Sequence, residues 1–503
     1  MKGRPLELYA VFDKPVYEPG ESARLHLLAH FSEARSIGLE VASREGVLLE
    51  AAISGGPGEV VVKPIELEVP KMPGVYELAV KTGGSVASAA KYVVAGEIKD
   101  RYLAFVWHHH QAPNYLPDGT YYFLWAFVHT WSDELAPYGK GPYHYHAVVL
   151  EKSPGYKCTY NLSPSLLVQW VDATERGVKH RGGYVPPGSA EVGLVREALE
   201  IYKRAARRGQ IDVLTSMYAH SIAGYLIEYL GAEDIVAEEF EYGLEVTRRV
   251  IGVEPKGAWT PEMAFHMKLV DIYSKLGLEY TVLDAKCHLQ KSAGREATHL
   301  EPYLVKGAEG AITVFFRDTE LSNYLGFKNN YESPLHAWKA AYDFAAEASA
   351  RLLGGGILTI ALDGENWMIF SKRPPLTAVF YEKLVGYLLR LQESDYLKTA
   401  TLRELARSVQ PRVELKSLPT TSWLCGFSKW HGQVADHEAY WKKARAAYEL
   451  VKSYEQRHGR DERSKKARWA LWHALDSDYW WAEFWEPRLI DAWLREVEES
   501  LKH

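Results

Sequence analysis

The chain has 503 residues, and the usual domain size of roughly 100–200 residues predicts about three domains. A composition of 47% hydrophobic and 25% charged residues is typical of a soluble globular protein, and the net charge of -6 at pH 7 argues against a nucleic-acid partner. No apolar run reaches the roughly 18 residues of a membrane span, and the N-terminus has no continuous apolar segment. We therefore expect a cytoplasmic protein with no membrane partner.

Residues 1–97 have the pattern of short strands. The segments LELYAVF, ARLHLLAHF, VVVKPIELEV and VYELAVKT are separated by the turn signals EPGES, SGGPGE and KMPG. Strands at this spacing predict a small β-sandwich domain. Its function is open between a stabilising or oligomerising module, which we favour, and a carbohydrate-binding module.

Residues 98–400 alternate between strands and helices. Strands are predicted at YLAFVWHHH, at 211–216, before Trp259, and at YTVLD, ITVFFRD and ILTIALD, and helices are predicted over 190–208, 233–251, 269–276, 335–353 and 377–393. This alternation predicts a parallel sheet or barrel with right-handed crossovers. About seven strands can be counted, fewer than the eight of a complete barrel.

Residues 401–503 form the last predicted region, and no strand is predicted in it. The segments 436–457 and 461–502 have the pattern of long helices rich in tryptophan. We expect a C-terminal helical region that packs on the barrel.

Two carboxylates follow predicted barrel strands. Glu262 lies in GAWTPEMAFH, among aromatic residues and directly after a proline, and Asp363 ends the apolar run ILTIALD. The carboxyl ends of barrel strands meet at one rim, where such enzymes carry their active sites. Two carboxylates at that rim suit glycosidic bond cleavage, one as nucleophile and one as general acid and then base.

Three consecutive histidines end the first barrel strand. In a strand, His108 and His110 share one face and His109 faces the other way. The sequence leaves open ligand hydrogen bonding by His108 and His110, which we favour, metal binding, and a role in the core. No Asp or Cys with matching spacing supports a metal site.

Further polar residues follow other strands. In GQIDVLTSMYAH, His220 either faces a substrate or lies beyond a helix start capped by Ser216. Arg317 and Asp318 follow ITVFF, where a guanidinium can orient a catalytic carboxylate or bind sugar hydroxyls. An ordinary surface ion pair is the alternative.

A tryptophan cluster lies near the C-terminus, in WHALDSDYWWAEFW. It is either part of the core or an aromatic wall that reaches over the barrel mouth, since flat rings suit the apolar faces of sugars. The cluster contains Trp472, Asp476, Asp478, Trp480 and Trp481.

The three cysteines are Cys158, Cys287 and Cys425. They are far apart and odd in number, which favours buried free thiols over a disulfide framework or a zinc site. Asn, Gln and Met are sparse and Glu, Lys and Arg are common, a bias typical of proteins from heat-adapted organisms.

Five segments, in this order, resemble the sequence blocks of glycoside hydrolase family 57, and most closely its amylopullulanase-like branch. They are HHHQAPNYLPDGTYYFLWAFVH, GQIDVLTSMYAH, GAWTPEMAF, TIALDGENW and LDSDYWW. The resemblance covers about residues 100–490 and leaves the N-terminal domain outside. It implies an incomplete (β/α)7 barrel followed by a helical region, and a retaining mechanism on α-linked glucans.

The resemblance also implies roles for individual residues. Glu262 matches the nucleophile and Asp363 the acid/base. The family's first block reads His-Gln-Pro, whereas here Ala112 follows Gln111. The residues that match positions lining the substrate cleft are His108, His110, His220, Trp259, Arg317, Trp472, Asp478 and Trp481.

The sequence therefore predicts a retaining glycoside hydrolase that acts on α-1,4 or α-1,6 bonds of α-glucans, of amylopullulanase, pullulanase or α-amylase type, without cofactor or metal. We expect Asp363 to be kept protonated by a site of low polarity and by the neighbouring carboxylate. The alternatives are a branching enzyme or 4-α-glucanotransferase of the same family, a metal-dependent polysaccharide deacetylase-like enzyme, and an inactive glucan-binding protein. The sequence predicts no oligomeric state.

Overall fold

The computed structural model describes residues 6–97 and 99–502. The strands of these residues are β1 (Leu6–Phe12), β2 (Val16–Tyr17), β3 (Ser22–Phe31), β4 (Arg35–Ser43), β5 (Gly46–Gly55), β6 (Val60–Glu68), β7 (Gly74–Thr82), β8 (Ser85–Val94), β9 (Arg101–His109), β10 (Cys158–Leu162), β11 (Val178–His180), β12 (Gly183–Val185), β13 (Ile211–Leu214), β14 (Gly257–Ala258), β15 (Tyr280–Asp284), β16 (Tyr303–Lys306), β17 (Ala311–Arg317), β18 (Gly356–Asp363), β19 (Lys398–Thr399) and β20 (Val413–Leu415).

The α-helices of the same residues are α1 (Trp125–Trp131), α2 (Pro142–Lys152), α3 (Pro164–Arg176), α4 (Ala190–Arg207), α5 (Ala223–Tyr225), α6 (Glu233–Ile251), α7 (Lys268–Lys275), α8 (Gln290–Ala293), α9 (Thr319–Phe327), α10 (Pro334–Arg351), α11 (Asn366–Ile369), α12 (Pro374–Glu393), α13 (Leu402–Ser408), α14 (His437–His458), α15 (Glu462–Ala474), α16 (Ser477–Trp480) and α17 (Pro487–Leu501). Two π-helical turns span Leu226–Leu230 and Ala285–Leu289, and two 3-10 turns span Pro261–Met263 and Ala482–Phe484.

The N-terminal residues form two packed β-sheets. One has the strand order β1-β3-β6 and the other β2-β8-β7-β4-β5. Val11 and Leu27 from the first sheet and Val41 and Val80 from the second are fully buried in the same core, because alternate side chains of each strand face inward. The predicted β-sandwich is confirmed.

The sandwich packs against helix α10 on the outside of the barrel. The Tyr342 hydroxyl donates to the backbone carbonyl of Lys91, and the Lys91 ammonium lies 2.6 Å from Glu347. At the start of the helix, the Ser333 hydroxyl donates to Glu7 at 2.5 Å. These contacts hold the sandwich behind the barrel, against the helix that precedes strand β18.

Seven parallel strands form a closed barrel, in the order β13-β10-β9-β18-β17-β15-β14. A parallel bridge between Thr215 and Ala258 joins the two ends of this order. The parallel register puts His108 beside both Asn161 and Asp363, so polar residues at the strand ends meet at one rim. The prediction of an incomplete (β/α)7 barrel with an N-terminal sandwich and C-terminal helices is confirmed.

Two details of the predicted elements are wrong. Strands continue past residue 400, since β20 pairs with β16, which pairs in turn with the barrel strand β17. The helix predicted over 461–502 is broken between α15 and α17. Asp476 caps the short α16 by accepting from the Asp478 amide at 2.9 Å, and Pro487 starts α17 because its ring suits a first helical position.

The C-terminal helices are fixed to the barrel by a buried arginine. Arg468 on α15 is only 4% exposed and lies 2.9 Å from Asp234, 3.0 Å from Glu238 and 2.7 Å from Glu455. Asp234 and Glu238 belong to the barrel helix α6, and Glu455 to α14. One guanidinium therefore joins three helices, and its desolvation is offset by three partners.

The cysteine prediction is half right. Cys158 is a buried free thiol as expected, but Cys287 and Cys425 form a disulfide with a Cα–Cα distance of 4.8 Å. They are 138 residues apart, so no sequence spacing signals the pair, and only the fold brings them within disulfide range. Among the helices of 6–97 and 99–502, none has the length and apolar character needed to cross a membrane.

Candidate active site

Glu262 lies in the 3-10 turn Pro261–Met263, four residues after the end of the two-residue strand β14. Its φ of +54° lies in the left-handed region, which a residue with a side chain rarely adopts. The Trp423 indole N–H donates to Glu262 Oε2 at 2.9 Å, and the Trp423 backbone N–H donates to the Glu262 carbonyl at 3.2 Å. The Glu262 carboxylate is therefore held by a residue 161 positions later in the chain.

Asp363 is the last residue of the regular strand β18. The Asn366 amide donates to Asp363 Oδ2 at 2.8 Å, and the Gly364 N–H donates to the His108 carbonyl at 2.7 Å. A side chain at Gly364 would lie 2.1 Å from the His109 ring, so glycine is required where the chain leaves the strand. The position of Asp363 thus follows from the barrel itself.

Glu262 and Asp363 line one cleft of about 520 Å³ at the rim of the barrel. The structure brings four more residues of the sequence-based site to this part of the rim, since His108, Trp259 and Arg317 line the cleft and Asp478 acts electrostatically on Glu262. The other lining residues are Met263, Ser322, Asn323, Gly326, Phe327, Leu362, Asn366, Trp367 and Trp423.

The electrostatics of the site fall most heavily on Glu262. Burial, followed by the charge of Asp363, raises the pKa of Glu262 to about 8, although hydrogen bonds from Trp423 and Ser477 act against the increase. Glu262 therefore keeps its proton to a higher pH than an ordinary carboxyl.

One wall of the site is a stack of flat rings. The His108 ring lies 4.4 Å from the Trp259 ring and 4.8 Å from the His220 ring, and His220 lies 4.0 Å from His110, all nearly parallel. Burial lowers the pKa of His108 to about 4 and holds the pKa values of His110 and His220 well below their usual range. The stack is therefore uncharged at neutral pH.

The face of β9 follows the predicted alternation. His108 and His110 point inward, with Nδ1 atoms 2.8 Å from Asn161 and 2.9 Å from Ser163. His109 points outward into the core and hydrogen-bonds to the Tyr202 hydroxyl at 3.1 Å. His220 Nδ1 is fixed by the Ser477 hydroxyl at 2.9 Å.

Three inward groups form a cluster beside the stack. His110 Nε2 lies 3.8 Å from Asp476 Oδ2 and 3.5 Å from Asp478 Oδ2. His110 Nε2, His220 Nε2 and Asp476 Oδ2 are buried without a hydrogen-bond partner in the described part of the chain. Partial desolvation and the charge of Asp363 raise the pKa of Asp478 to about 7. These polar groups suit sugar hydroxyls. Ligand atoms, one each from His110, Asp476 and Asp478, lie within 4.8 Å of one another, so these three residues also fit a divalent cation.

Arg317 is buried rather than part of a surface ion pair. It is 4% exposed, lies 2.8 Å from Asp284, and donates to the Ala361 carbonyl at 2.9 Å. Its guanidinium lies 5.5 Å from the Trp423 ring. Asp318, by contrast, caps α9 by accepting from the Leu321 amide at 2.8 Å, which is a structural role.

Comparison with known proteins agrees with this geometry. A family model described as glycosyl hydrolase family 57 matches residues 104–419, more than half of the chain. The chain belongs to this family. The match begins inside β9 and includes both Glu262 and Asp363.

Individual relatives of this family 57 chain are distant. An α-amylase from Pyrococcus abyssi is 22% identical over 180 residues, which cover 36% of this chain and 23% of the relative. A branching enzyme of the same family from Pyrococcus horikoshii has the same fold, with a TM-score of 0.57 at 17% identity over 80% of this chain and 88% of that one. A 4-α-glucanotransferase from Thermococcus litoralis gives a TM-score of 0.54 at 16% identity over 80% and 60%. The chain spans about a quarter of the length of the curated relatives it matches.

The two tryptophans of the C-terminal cluster have different surroundings in this family 57 chain. Trp481 stacks on Trp423 at 6.3 Å with an interplanar angle of 11°. Trp472 instead packs against Tyr242 at 5.9 Å and Trp469 at 5.8 Å, and it is not among the residues that line the cleft. Neither tryptophan lines the cleft directly, but Trp481 contacts the lining residue Trp423, whereas Trp472 belongs to the packing of α15 on α6.

Sequence reasoning missed Trp423, Asn366 and Phe327, which all line the cleft. Asn366 lies in the block TIALDGENW, three residues after Asp363, so its proximity was available from the sequence. Trp423 lies in SWLCGF, after the barrel strands, in a segment without a recognisable motif. Its role follows only from the return of the chain over the barrel rim.

Proposed function

We propose that this family 57 chain cleaves α-glucosidic bonds with retention of configuration. Glu262 attacks the anomeric carbon, while Asp363 gives a proton to the departing oxygen and then takes a proton from the acceptor. The observation that carries this proposal is that these two carboxylates, at the ends of β14 and β18, line one cleft. A wall of uncharged rings beside them supports a sugar as the ligand.

The raised pKa of Glu262 favours its neutral form, whereas attack on the anomeric carbon needs the ionised form. The Trp423 indole N–H favours the ionised form of Glu262. Because the Glu262 carboxyl is buried, this charge-assisted hydrogen bond is stronger than it would be in solution.

Chemical rescue tests the two roles. In Asp363→Asn, azide should increase turnover of a substrate with a good leaving group and give a glycosyl azide of α configuration. In Glu262→Gly, azide should give the β form, because it then attacks the sugar from the face that the nucleophile has left. Exchanged configurations would reverse the assignment, and inversion by the unmodified enzyme would exclude the retaining mechanism.

We propose an α-glucan as substrate and water as the main acceptor, as in an amylopullulanase or α-amylase. The names of the distant relatives, which include an α-amylase and a 4-α-glucanotransferase, support the substrate class. Product analysis on pullulan, amylose and maltooligosaccharides separates α-1,6 from α-1,4 cleavage. Products longer than the starting oligosaccharide would instead indicate a sugar acceptor, as in a branching enzyme or a glucanotransferase.

Exposed aromatic rings at the rim support a polymeric substrate. Phe327 is 64% exposed and stacks on Trp423 at 5.9 Å. Phe370 and Phe484 are 61% and 59% exposed and stack on each other at 6.3 Å. Phe484→Ala should therefore lower kcat/KM on amylose several-fold and leave kcat/KM on maltotriose unchanged. An equal loss on both substrates would argue against this rim as a polymer-binding surface.

A metal-dependent reaction, such as polysaccharide deacetylation, is the second candidate. The observation in its favour is the set of His110, Asp476 and Asp478 oxygen and nitrogen atoms. Elemental analysis of the purified protein separates the candidates, because the two-carboxylate mechanism needs no ion. A third possibility, an inactive glucan-binding protein, is separated by a reducing-sugar assay.

We also propose that the protein acts in the cytoplasm of a heat-adapted organism. The abundance of Glu, Lys and Arg supports heat adaptation, and so do relatives from Pyrococcus and Thermococcus. The Cys287–Cys425 disulfide is compatible with this location, because intracellular proteins of hyperthermophiles contain disulfides. Fractionation of the source cells and a thermal unfolding curve test the two parts of this proposal.

A further inference from the structure

We propose that the Cys287–Cys425 disulfide is a positioning device, which fixes the segment 421–425 over the cleft so that the Trp423 indole donates to Glu262. The inference rests on the proposed function, in which Glu262 is the nucleophile. It extends that function from the reacting carboxylates to a covalent bond that does not touch the substrate.

Both cysteines of the disulfide lie close to Trp423, the donor of the hydrogen bond that the bridge would protect. Cys425 is two residues after Trp423, and the Cys287 Sγ lies 3.1 Å from the Trp423 carbonyl oxygen. Cys287 belongs to the π-helical turn that directly follows β15, where its N–H donates to Asp284 at 2.9 Å. The bridge therefore ties the Trp423 segment to the end of a barrel strand, the most rigid support available at the rim.

Backbone contacts hold the other end of the segment. The Phe265 N–H donates to the Thr421 carbonyl at 2.9 Å, and His288 Nε2 lies 3.1 Å from the same oxygen. The two residues directly after Trp423 are exposed, since Leu424 is 36% exposed and Cys425 is exposed as well, and the next packed ring is Phe427, which contacts Tyr225 at 5.7 Å. The disulfide is thus the nearest anchor on the C-terminal side of Trp423.

Ring contacts alone are a weak restraint on Trp423. Its neighbours are Phe327 at 5.9 Å, Trp481 at 6.3 Å and the Arg317 guanidinium at 5.5 Å. Phe327 is itself 64% exposed, so it gives little support. The covalent link between Cys425 and Cys287 adds a restraint two residues from Trp423 that these ring contacts do not provide.

The charges around Glu262 explain why this hydrogen bond matters. Asp363 and Asp478 face Glu262 with like charge, and His108 is uncharged. Arg317, the cation in the cleft, is already paired with Asp284. The indole N–H is therefore, with the Ser477 hydrogen bond, one of two groups that stabilise ionised Glu262, and its loss should move the acidic limb of kcat/KM to higher pH.

The test compares the full-length enzyme with Cys425→Ser, Trp423→Phe and the double variant. In Cys425→Ser the acidic limb of kcat/KM should move up by about one pH unit, because one hydrogen bond to the charged form is weakened. Trp423→Phe should show at least the same shift, and adding Cys425→Ser to it should produce no further shift. An unchanged limb in Cys425→Ser, or an equal extra shift in the Trp423→Phe background, overturns the proposal.

Reduction of the unmodified enzyme is the second measurement and needs no variant to fold. Dithiothreitol supplies two electrons and two protons, which convert the bridge to two thiols, and leaves as its cyclic disulfide. Thiol titration should rise by two groups, and the acidic limb should move as in Cys425→Ser. The matched control is Cys287→Ser/Cys425→Ser, on which dithiothreitol should have no effect. Two new thiols with an unchanged pH profile would overturn the proposal.

Failure of this inference can be distinguished from failure of the proposed function. If Glu262→Gln keeps normal activity, Glu262 is not the nucleophile and the proposed function fails. If Glu262→Gln is inactive and the Cys425→Ser profile is unchanged, only the positioning role of the disulfide fails.

Discussion

The two carboxylates of the cleft are held in place by different parts of the molecule. Asp363 ends an eight-residue strand, and its partner Asn366 is three residues away. Glu262 follows a two-residue strand, has a left-handed backbone, and depends on Trp423. The proposed acid/base is thus fixed by local structure, and the proposed nucleophile by a long-range contact, which makes Glu262 the more adjustable group.

The largest expected effect tests whether both carboxylates are needed. Glu262→Gln and Asp363→Asn should each lower kcat on natural glucans on the order of 10⁴-fold or more, because each variant loses a group that reacts. Initial rates on amylose, with folding checked by circular dichroism, measure this. A residual activity within tenfold of the unmodified enzyme for either variant would show that the substituted carboxylate is not required for turnover.

Asn366→Ala tests the local side of the comparison. Loss of its charge-assisted hydrogen bond to Asp363 should lower kcat about 10–100-fold, corresponding to roughly 1.5–3 kcal/mol. KM should change little, since the main loss is in the position of the acid/base. The control is Asn366→Ser, which keeps a hydrogen-bond donor and should recover part of the activity. Equal activities of the Ala and Ser variants would show that a hydrogen bond from residue 366 does not position Asp363.

The pH dependence of stability tests the burial of Glu262. A carboxyl whose pKa is raised on folding stabilises the protein below its unfolded pKa of about 4.3, and this contribution is lost as the pH rises through about 8. The glutamine of Glu262→Gln does not titrate, so this variant does not lose that contribution as the pH rises. The Tm of the variant should therefore rise by a few degrees relative to the Tm of the unmodified enzyme between pH 5 and pH 9. A constant difference would show that Glu262 ionises normally.

Removal of residues 1–97 tests whether the Asp363 strand needs outside support. The sandwich packs on α10, behind the barrel and away from the cleft. We expect turnover of maltooligosaccharides within a few-fold of normal and a lower Tm, because apolar surface on α10 becomes exposed. An inactive but folded protein would mean that the boundary near residue 97, or the independence of the catalytic region, is wrong.

The smallest expected effect is that of a chelator. If His110, Asp476 and Asp478 bind sugar hydroxyls rather than a cation, EDTA should leave kcat and KM unchanged. Activity that is lost in EDTA and restored by zinc would show that a cation binds to these residues. Its positive charge beside Glu262 would then favour the ionised form of that carboxyl.

The difference between local and long-range support also explains which features the sequence could predict. Asp363, His108 and His110 were found because a strand end and an alternation rule place them without reference to distant residues. The sequence also contains two helix-start signals, the N-cap Asp476 and the first-turn residue Pro487. The helical periodicity of the tryptophan-rich segment concealed the break that they mark between α15 and α17. Local patterns therefore predicted the barrel, its rim and five of the fourteen residues that line the cleft.

The contacts that depend on the return of the chain were not predictable. Trp423 reaches Glu262 across 161 residues, and Cys425 reaches Cys287 across 138. The raised pKa of Glu262 was not predictable either, because it depends on how deeply Glu262 is buried and on the charge of Asp363. Burial and long-range distances are properties of the folded chain that no spacing rule encodes.

The uncharged ring stack also acts as an electrostatic filter. His108 carries no charge at neutral pH, and among the described residues that line the cleft the other basic group, Arg317, is already neutralised by Asp284. A phosphate or carboxylate group on a sugar would meet two acidic residues and no free cation there. The cleft should therefore exclude phosphorylated and uronic-acid-containing glucans, so chemical decoration of a polymer would protect the modified units from cleavage.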